Sequence, residues 1–467
     1  MQINEKQLAL VNERLKAIIE SDNYFGRMYK EMGITEIKTP EDFKKLPFVD
    51  KAELRNAYPL GIQAVPDSEI VRIHSSSGTT GKPVIIPYTA KDVDDWAAMF
   101  ARCYETAGIT KNDRIQITPG YGLWTAGIGF QAGCEKLGAM AIPMGPGNTE
   151  KQLQMMQDLK STVICATSSY ALLLAEEINS RGLKDNICLK KGVIGSERWS
   201  DKKREYISNE LGIELYDIYG LTEIYGPGIG VNCNLQTGMH YWDDYLYIEI
   251  IDPVTGENVE DGEEGEIVIT TLVKEGAPLL RFRTHDLSRI IPGECPCGSK
   301  YPRLDVIKGR SDDMFKVHGV NMFPSQVEEL LGTVDGVSSE YKIDIAHDEE
   351  KNRDIILLTV EAEGRVNFDK TAETIKSLFK SKMSVTPKVA VVSVGTLPRS
   401  EKKTKRVFDH RPVIWAQIPA LMTWFINPIH SAILRWKGCM ICSKAERSSF
   451  RRAAIPPIFS RKVWTRY

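Results

Sequence analysis

Between Ile73 and about Arg289 short β-rich runs alternate with helical ones, and this alternation limits the fold more than any other feature. "VRIH", "DRIQIT", "AMAIPM", "STVICAT" and "KKGVIG" predict strands, while "KDVDDWAAMFARCYETAG", "TEKQLQMMQDLK" and "YALLLAEEINSRG" place apolar residues at helical spacing. Alternation of this kind favours an α/β sheet with helices on its faces. "YLYIEIIDPVTGENVEDGEEGEIVITTL" reads instead as strand, turn, strand, a β subdomain. Upstream, residues to about Leu60 read as helices punctuated by Pro. Past "IKGRSDDMFKVHGVNMFP" the order becomes helix, two strands, helix and strand, a compact α+β unit ending near Arg411. The expected organisation is a large N-terminal α/β domain over residues 1–308, a small α+β domain over 309–411 and an extension over 412–467.

With 467 residues there is room for such domains, since each takes about 100 to 200. A net charge of −2 excludes a whole-chain electrostatic attraction to nucleic acid. The polar, mixed-charge N-terminus reads as no secretory signal. Nine scattered Cys suggest a reducing compartment, the cytoplasm, with thiols or metal ligands rather than disulfides. The extension is unlike the rest: basic, with Trp415, Trp424, Trp436 and Trp464, and uncharged between Arg411 and Arg435. It is long enough to span a bilayer, but Pro419, Pro428, Gln417, Asn427 and His430 interrupt it, which weighs against membrane contact.

"HSSSGTTGKPVIIPYT", from His74, has the composition of a phosphate-binding loop. The ATPase form needs four residues between its glycines and Ser or Thr after its Lys. Here two residues separate Gly78 from Gly81, Pro83 follows Lys82, and a strand comes next, so that class is excluded. What remains is a turn whose amides and hydroxyls, at Ser75, Ser76, Ser77, Gly78, Thr79 and Thr80, bond phosphate oxygens while Lys82 offsets their charge.

Four further stretches follow in order: "YDIYGLTE" (216–223), "RFRTHDL" (281–287), "GRSDDMFKVHGVNMFPSQVEE" (309–329) and "LPRSEKKTKR" (397–406). With the first loop they resemble the adenylate-forming enzymes, among them acyl-CoA synthetases, luciferases and peptide-synthetase adenylation domains. "GSERW", "YGPGIG", "GMHYWDDYLYIEIIDPVTGE" and "NMFPSQVE" look, more narrowly, like the phenylacetate-CoA ligase family. The resemblance covers roughly Leu8 to Arg411 and implies an ATP-dependent, AMP-forming acid–CoA ligase whose small C-terminal domain moves between steps. Transfer of the acyl group to another acceptor, or a silent nucleotide-binding homologue, are the alternatives.

The resemblance also implies roles. Glu223 holds the magnesium that bridges the phosphates, a task suited to a carboxylate. Tyr219, with Asp217, Gly220 and Thr222 around it, and the Gly195-Ser196-Glu197 segment flank adenine, while Asp286 and Arg310 bind ribose hydroxyls. Lys403 is the catalytic ammonium of the first step, although Lys402 stands where the family has Gly. Asp312, with Asp313 beside it, marks the hinge. "PGYGLWTAGIGF" (119–130) matches the acid pocket, with Tyr121, Trp124 and Phe130 as lining residues. Its apolar, aromatic character suits an aryl or arylalkyl acid, but Pro119, Trp124 and Phe130 depart from the family's stretch, so phenylacetate leads while indoleacetate, a benzoate-type acid or a non-aromatic acid stay open. The expected partners are thus this small acid, ATP and coenzyme A, with room for a homodimer.

"CPCG" (295–298) is a tight thiolate pair at a turn, and "NCNLQTGMH" (232–240) adds a Cys and a His. Cys233, His240, Cys295 and Cys297 make a closed set suited to structural zinc. Cys439 and Cys442 have zinc spacing but no visible partners.

Overall fold

The computed structural model describes residues 2–76, 82–197, 199, 201–318, 320–348, 353–398 and 406–411. Its centre is a nine-stranded sheet. Five parallel strands form one side in the spatial order Met140–Pro143, Arg114–Ile117, Val163–Thr167, Lys191–Gly195 and Glu214–Leu221. Gly226–Asn232 then pairs antiparallel, followed by Met239–Tyr241, Arg303–Leu304 and Ile290–Ile291. Val163 to Ala166 are all buried, which explains why "VICA" shows a continuous apolar run rather than alternation.

The helix Ala90–Thr106 begins with a capping box between Thr89 and Asp92 and buries Trp96, Met99, Phe100, Cys103 and Tyr104, one face at helical spacing. Large side chains buried in this way each contribute about 1.5–3 kcal/mol. Against it packs the helix Thr125–Leu137, which forms in spite of three internal glycines. Two of them explain the exception. A Cβ on Gly129 would stand 2.4 Å from Trp96, and one on Gly133 would stand 2.6 Å from Phe100 Cβ. Close packing of the two helices overrides weak helix propensity here.

The expected strand–turn–strand is present as Leu246–Ile251 and Gly265–Thr271, within a four-stranded antiparallel sheet completed by Phe282–Ser288 and Gly309–Arg310. In its turn Asp252 Oδ1 accepts from the amides of Val254 and Thr255, both at 2.8 Å.

Residues from Phe315 onward carry their own core, including Val327, Ile343, Ile345, Leu358, Val360, Ile375 and Phe379. The helices Pro324–Gly332 and Phe368–Met383 accompany a sheet ordered Lys388–Ser393, Arg353–Ala362, Val337–Asp348 and Val407–Asp409. Among the described residues no helix is long and apolar enough to cross a membrane. The extension from Pro412, with Cys439 and Cys442, lies outside the described residues.

Candidate active site

The strands on either side of the loop that opens the family pattern pair with each other. Ile70–Ser75 pairs antiparallel with Ile85–Thr89, with His74 opposite Ile86 and Ser75 opposite Ile85. Ser76 closes the neck: its amide donates to Val84 O and its Oγ accepts from Val84 N, each at 3.0 Å. Ser75 N donates to Leu123 O at 2.7 Å, which ties the neck to the "GYGLW" stretch. His74 is buried between Tyr88 and Trp96, and burial pushes its imidazole down to about 4, so it stays neutral. Lys82 Nζ lies 5.3 Å over the Tyr58 ring. Ser77, Gly78, Thr79 and Thr80 are outside the described residues.

"LTEI" leads into a turn between Glu214–Leu221 and Gly226–Asn232, not into a helix. Gly220 sits where these strands come closest, and a Cβ there would stand 2.0 Å from Gly226 O. The close approach of the two strands therefore requires glycine at this position. Tyr88, on the second hairpin strand, donates from its hydroxyl to Tyr225 O at 2.9 Å, fastening the turn to the hairpin. Thr222 Oγ1 meets Thr125 Oγ1 at 3.3 Å. Glu223 is 1% exposed, and Lys51 Nζ stands 3.1 Å from its Oε1 without hydrogen-bond alignment. Behind the turn, Lys274 is wedged between the rings of Tyr88 and Tyr225 and donates to Ile224 O. Burial draws its ammonium down to about 7 against the pull of Asp92 and Glu223.

Tyr219, Asp286 and Arg310 come together as one network. Tyr219 Oη donates to Asp286 Oδ2 at 2.7 Å, and Arg310 Nη1 donates to Asp286 Oδ1 at 3.0 Å. Asp286 and Arg310 are also direct cross-strand partners. Arg310 reaches forward as well, holding Asp312 by two bonds of 2.8 Å, so the expected hinge residue is tied to the expected ribose site.

Other expected contacts are engaged elsewhere. Glu197 Oε2 accepts from Ser169 N at 2.9 Å and Ser168 Oγ at 3.1 Å, at the start of the helix Ser168–Ser180. Asp217 accepts from Trp199 Nε1 and, at 3.0 Å, from Arg204. Both carboxylates are thus tied into the fold where the nucleotide is expected. Gly195 ends its strand, where a Cβ would stand 2.7 Å from Ile218 O, and Ser196 takes a left-handed φ of 70° that turns the chain.

Of the acid-pocket residues, Trp124 is the N-cap residue of Thr125–Leu137 and is 48% exposed, beside the similarly exposed Leu123. Tyr121 Oη is buried without a hydrogen-bond partner among the described residues. Phe130 is 2% exposed and packs on Phe100 with ring centroids 4.8 Å apart, at the inner end of this stretch. Lys403 falls outside the described residues.

Sequence reasoning missed Lys51 and His285. Lys51 opens the helix Lys51–Asn56, and nothing local in "VDKAELR" ties it to Glu223. His285 has a φ of 65° and faces Glu266 at 3.4 Å; that carboxylate's hydrogen bond raises the imidazole. The signal for His285 was its place between Thr284 and Asp286 in "RTHD".

The Cys/His set does assemble. Ligand atoms of Cys233, His240, Cys295 and Cys297 all lie within 4.8 Å of one another. Cys233 Sγ and Cys295 Sγ are 3.8 Å apart, and Cys297 Sγ is 3.3 Å from His240 Nε2. Thiolates about 2.3 Å from a tetrahedral zinc lie about 3.8 Å apart, so the donor set fits that ion. His240 Nδ1 bonds Tyr301 O at 2.8 Å, which leaves Nε2 as the ligand atom.

Comparison with known proteins agrees with this architecture. The AMP-binding enzyme family matches residues 12–272, and the AMP-binding enzyme C-terminal domain matches residues 319–411. The phenylacetate-coenzyme A ligase of Pseudomonas putida is 39% identical over 421 residues, covering 88% of this chain and 94% of that protein. The crystal structure of 2-hydroxyisobutyryl-CoA ligase in the postadenylation state with R3-HIB-AMP superposes with a TM-score of 0.78 at 25% identity, covering 93% of this chain and 91% of that one. The same ligase with 2-HIB-AMP and CoA in the thioesterification state gives a TM-score of 0.62 at 27% identity over 92% and 91%. The chain belongs to the AMP-binding, adenylate-forming enzymes and, among them, to the phenylacetate-coenzyme A ligase family of ATP-dependent, AMP-forming acid–CoA ligases.

Proposed function

We propose that this ligase activates an aryl or arylalkyl acid, with phenylacetate as the leading candidate, and passes it to coenzyme A in the cytoplasm. The observation that carries the proposal is Glu223: a buried carboxylate on a turn fastened by Tyr88 to the phosphate hairpin. In the first step a carboxylate oxygen of the acid attacks the α-phosphorus of ATP, and the bond to the pyrophosphate oxygen breaks with its electron pair. In the second, coenzyme A thiolate attacks the acyl carbon and AMP leaves. Such chemistry depends on alignment, charge neutralisation and exclusion of water.

The Ser75–Lys82 stretch is assigned to the departing pyrophosphate, with Lys51 as a second cation beside Glu223. Glu223 Oε1, buried beside the Lys51 ammonium and without an aligned donor among the described residues, has lone pairs to offer a hard cation, so Glu223 would hold magnesium, which would supply charge neutralisation on the phosphates. Asp286, already oriented by Tyr219 and Arg310, is poised to accept from a ribose hydroxyl. Lys403 is assigned the ammonium that bridges acid and phosphate, and Asp312 the hinge. Tyr121 and the exposed Trp124 offer an aromatic surface to the acid. Cys233, His240, Cys295 and Cys297 would hold a structural zinc, whose four protein ligands leave no position for catalysis.

ATP–pyrophosphate exchange across a panel of acids tests the reading. Exchange with phenylacetate or a close aryl acid, followed by thioester on adding coenzyme A, is the expected result. Exchange with no acid would remove the proposal, and exchange with only aliphatic acids would remove the substrate assignment.

A further inference from the structure

The helix Asp201–Leu211 packs beside the central-sheet strand Glu214–Leu221 and reaches the C-terminal unit through two adjacent lysines. Lys202 Nζ donates to Val337 O at 2.5 Å and Val334 O at 3.3 Å. Lys203 Nζ donates to Glu340 Oε1 at 3.2 Å. From the other side Arg406 forks onto the same carboxylate, at 2.8 Å to Oε2 and 2.9 Å to Oε1, with its guanidinium 5.0 Å from the Tyr341 ring centroid. Lys203 and Glu340 are each only 4% exposed. Burial works to raise the Glu340 carboxyl, but Arg406 and Lys203 outweigh it and hold it down at about 2.

A buried ion cluster is costly to desolvate, and apolar side chains of similar volume often stabilise as well. Such a cluster is better suited to specifying one arrangement of the groups that share it. Here Lys203 lies before the Gly309–Arg310 strand, whereas Glu340 and Arg406 lie after it. Arg406 follows Lys403 by three positions in the chain. The arrangement that contains the triad superposes better on the postadenylation state of 2-hydroxyisobutyryl-CoA ligase, at TM-score 0.78, than on its thioesterification state, at 0.62.

We propose that Lys203, Glu340 and Arg406 are positioning residues for the adenylation step. Lys203 anchors Glu340, and Glu340 fixes Arg406, which follows Lys403 by three positions in the chain. The triad separates before the thioester step. This inference rests on the role assigned to Lys403 above.

The test uses the full chain as wild type, Lys203→Met and Lys203→Arg. Two rates are measured for each: ATP–pyrophosphate exchange with phenylacetate, and thioester formation from supplied phenylacetyl-adenylate and coenzyme A. In Lys203→Met the exchange rate should fall about tenfold with the KM for ATP within about threefold of wild type. Thioester formation should hold or quicken, which also shows that the variant is folded. Lys203→Arg, which keeps the charge, should restore exchange. Unchanged exchange in Lys203→Met, or an equal loss in both steps, would overturn the triad's role while leaving the ligase reading intact. A wild type inactive in both assays would overturn both.

Discussion

The Cys/His cluster and the nucleotide site solve opposite problems. The cluster brings four ligand atoms within 4.8 Å, with His240 already oriented by Tyr301, so its geometry is complete within the fold. The proposed nucleotide site draws instead on a hairpin, a turn and two neighbouring strands. Its carboxylates are held by protein cations, Glu223 by Lys51 and Asp286 by Arg310. The difference teaches where preorganisation is useful. A closed metal site gains from rigidity, whereas a site for two successive reactions must be complementary to each transition state in turn.

The largest expected effect comes from breaking the catalytic side alone. Lys403→Ala should lower pyrophosphate exchange by about 10²–10³-fold, as for removal of one charge-stabilising donor. Zinc content and melting temperature should match wild type. Full exchange activity in this variant would refute the role of Lys403. The metal side should break differently. Cys297→Ser should lose stoichiometric zinc and about 3 kcal/mol of stability, since loss of a metal is among the few large single-site effects. Metal analysis with a denaturation curve checks it. Purified wild type without zinc would remove the metal claim, and abolition of exchange in a still-folded Cys297→Ser chain would collapse the distinction between the two sites.

Much of the fold was legible because buried parallel strands such as Val163–Thr167 leave an unbroken apolar run, and helices such as Ala90–Thr106 leave a periodic one. The chain order of the motifs marked Glu223, Tyr219, Asp286 and Arg310, and the last three do form one hydrogen-bonded network. What sequence could not show was decided by tertiary contact. Lys51 reaches Glu223 from a distant helix, Phe130 turns into the Phe100 core, and Gly220 answers to a neighbouring strand. Glu340 was equally silent: an acidic residue within "SSEYKID" reads as exposed until Lys203 and Arg406 are seen around it.

That buried carboxylate also provides the smallest effect, one visible only against pH. Glu340 is held at about 2 in the fold against 4.5 as its ordinary value. The unfolded chain therefore binds the proton more readily, so the stability from this group is fully present above about pH 4.5 and is lost as pH falls toward 2. Glu340→Gln removes the titrating group and leaves Lys203 and Arg406 facing a neutral amide. The variant should be less stable than wild type at neutral pH, and the gap should narrow by about 1 kcal/mol between about pH 5 and about pH 3.5. Urea unfolding of both proteins at each pH measures that gap. A gap that stays constant would mean that Glu340 is not held ionised by its two cations, and the triad would then be packing rather than a charged lock between the two sheets.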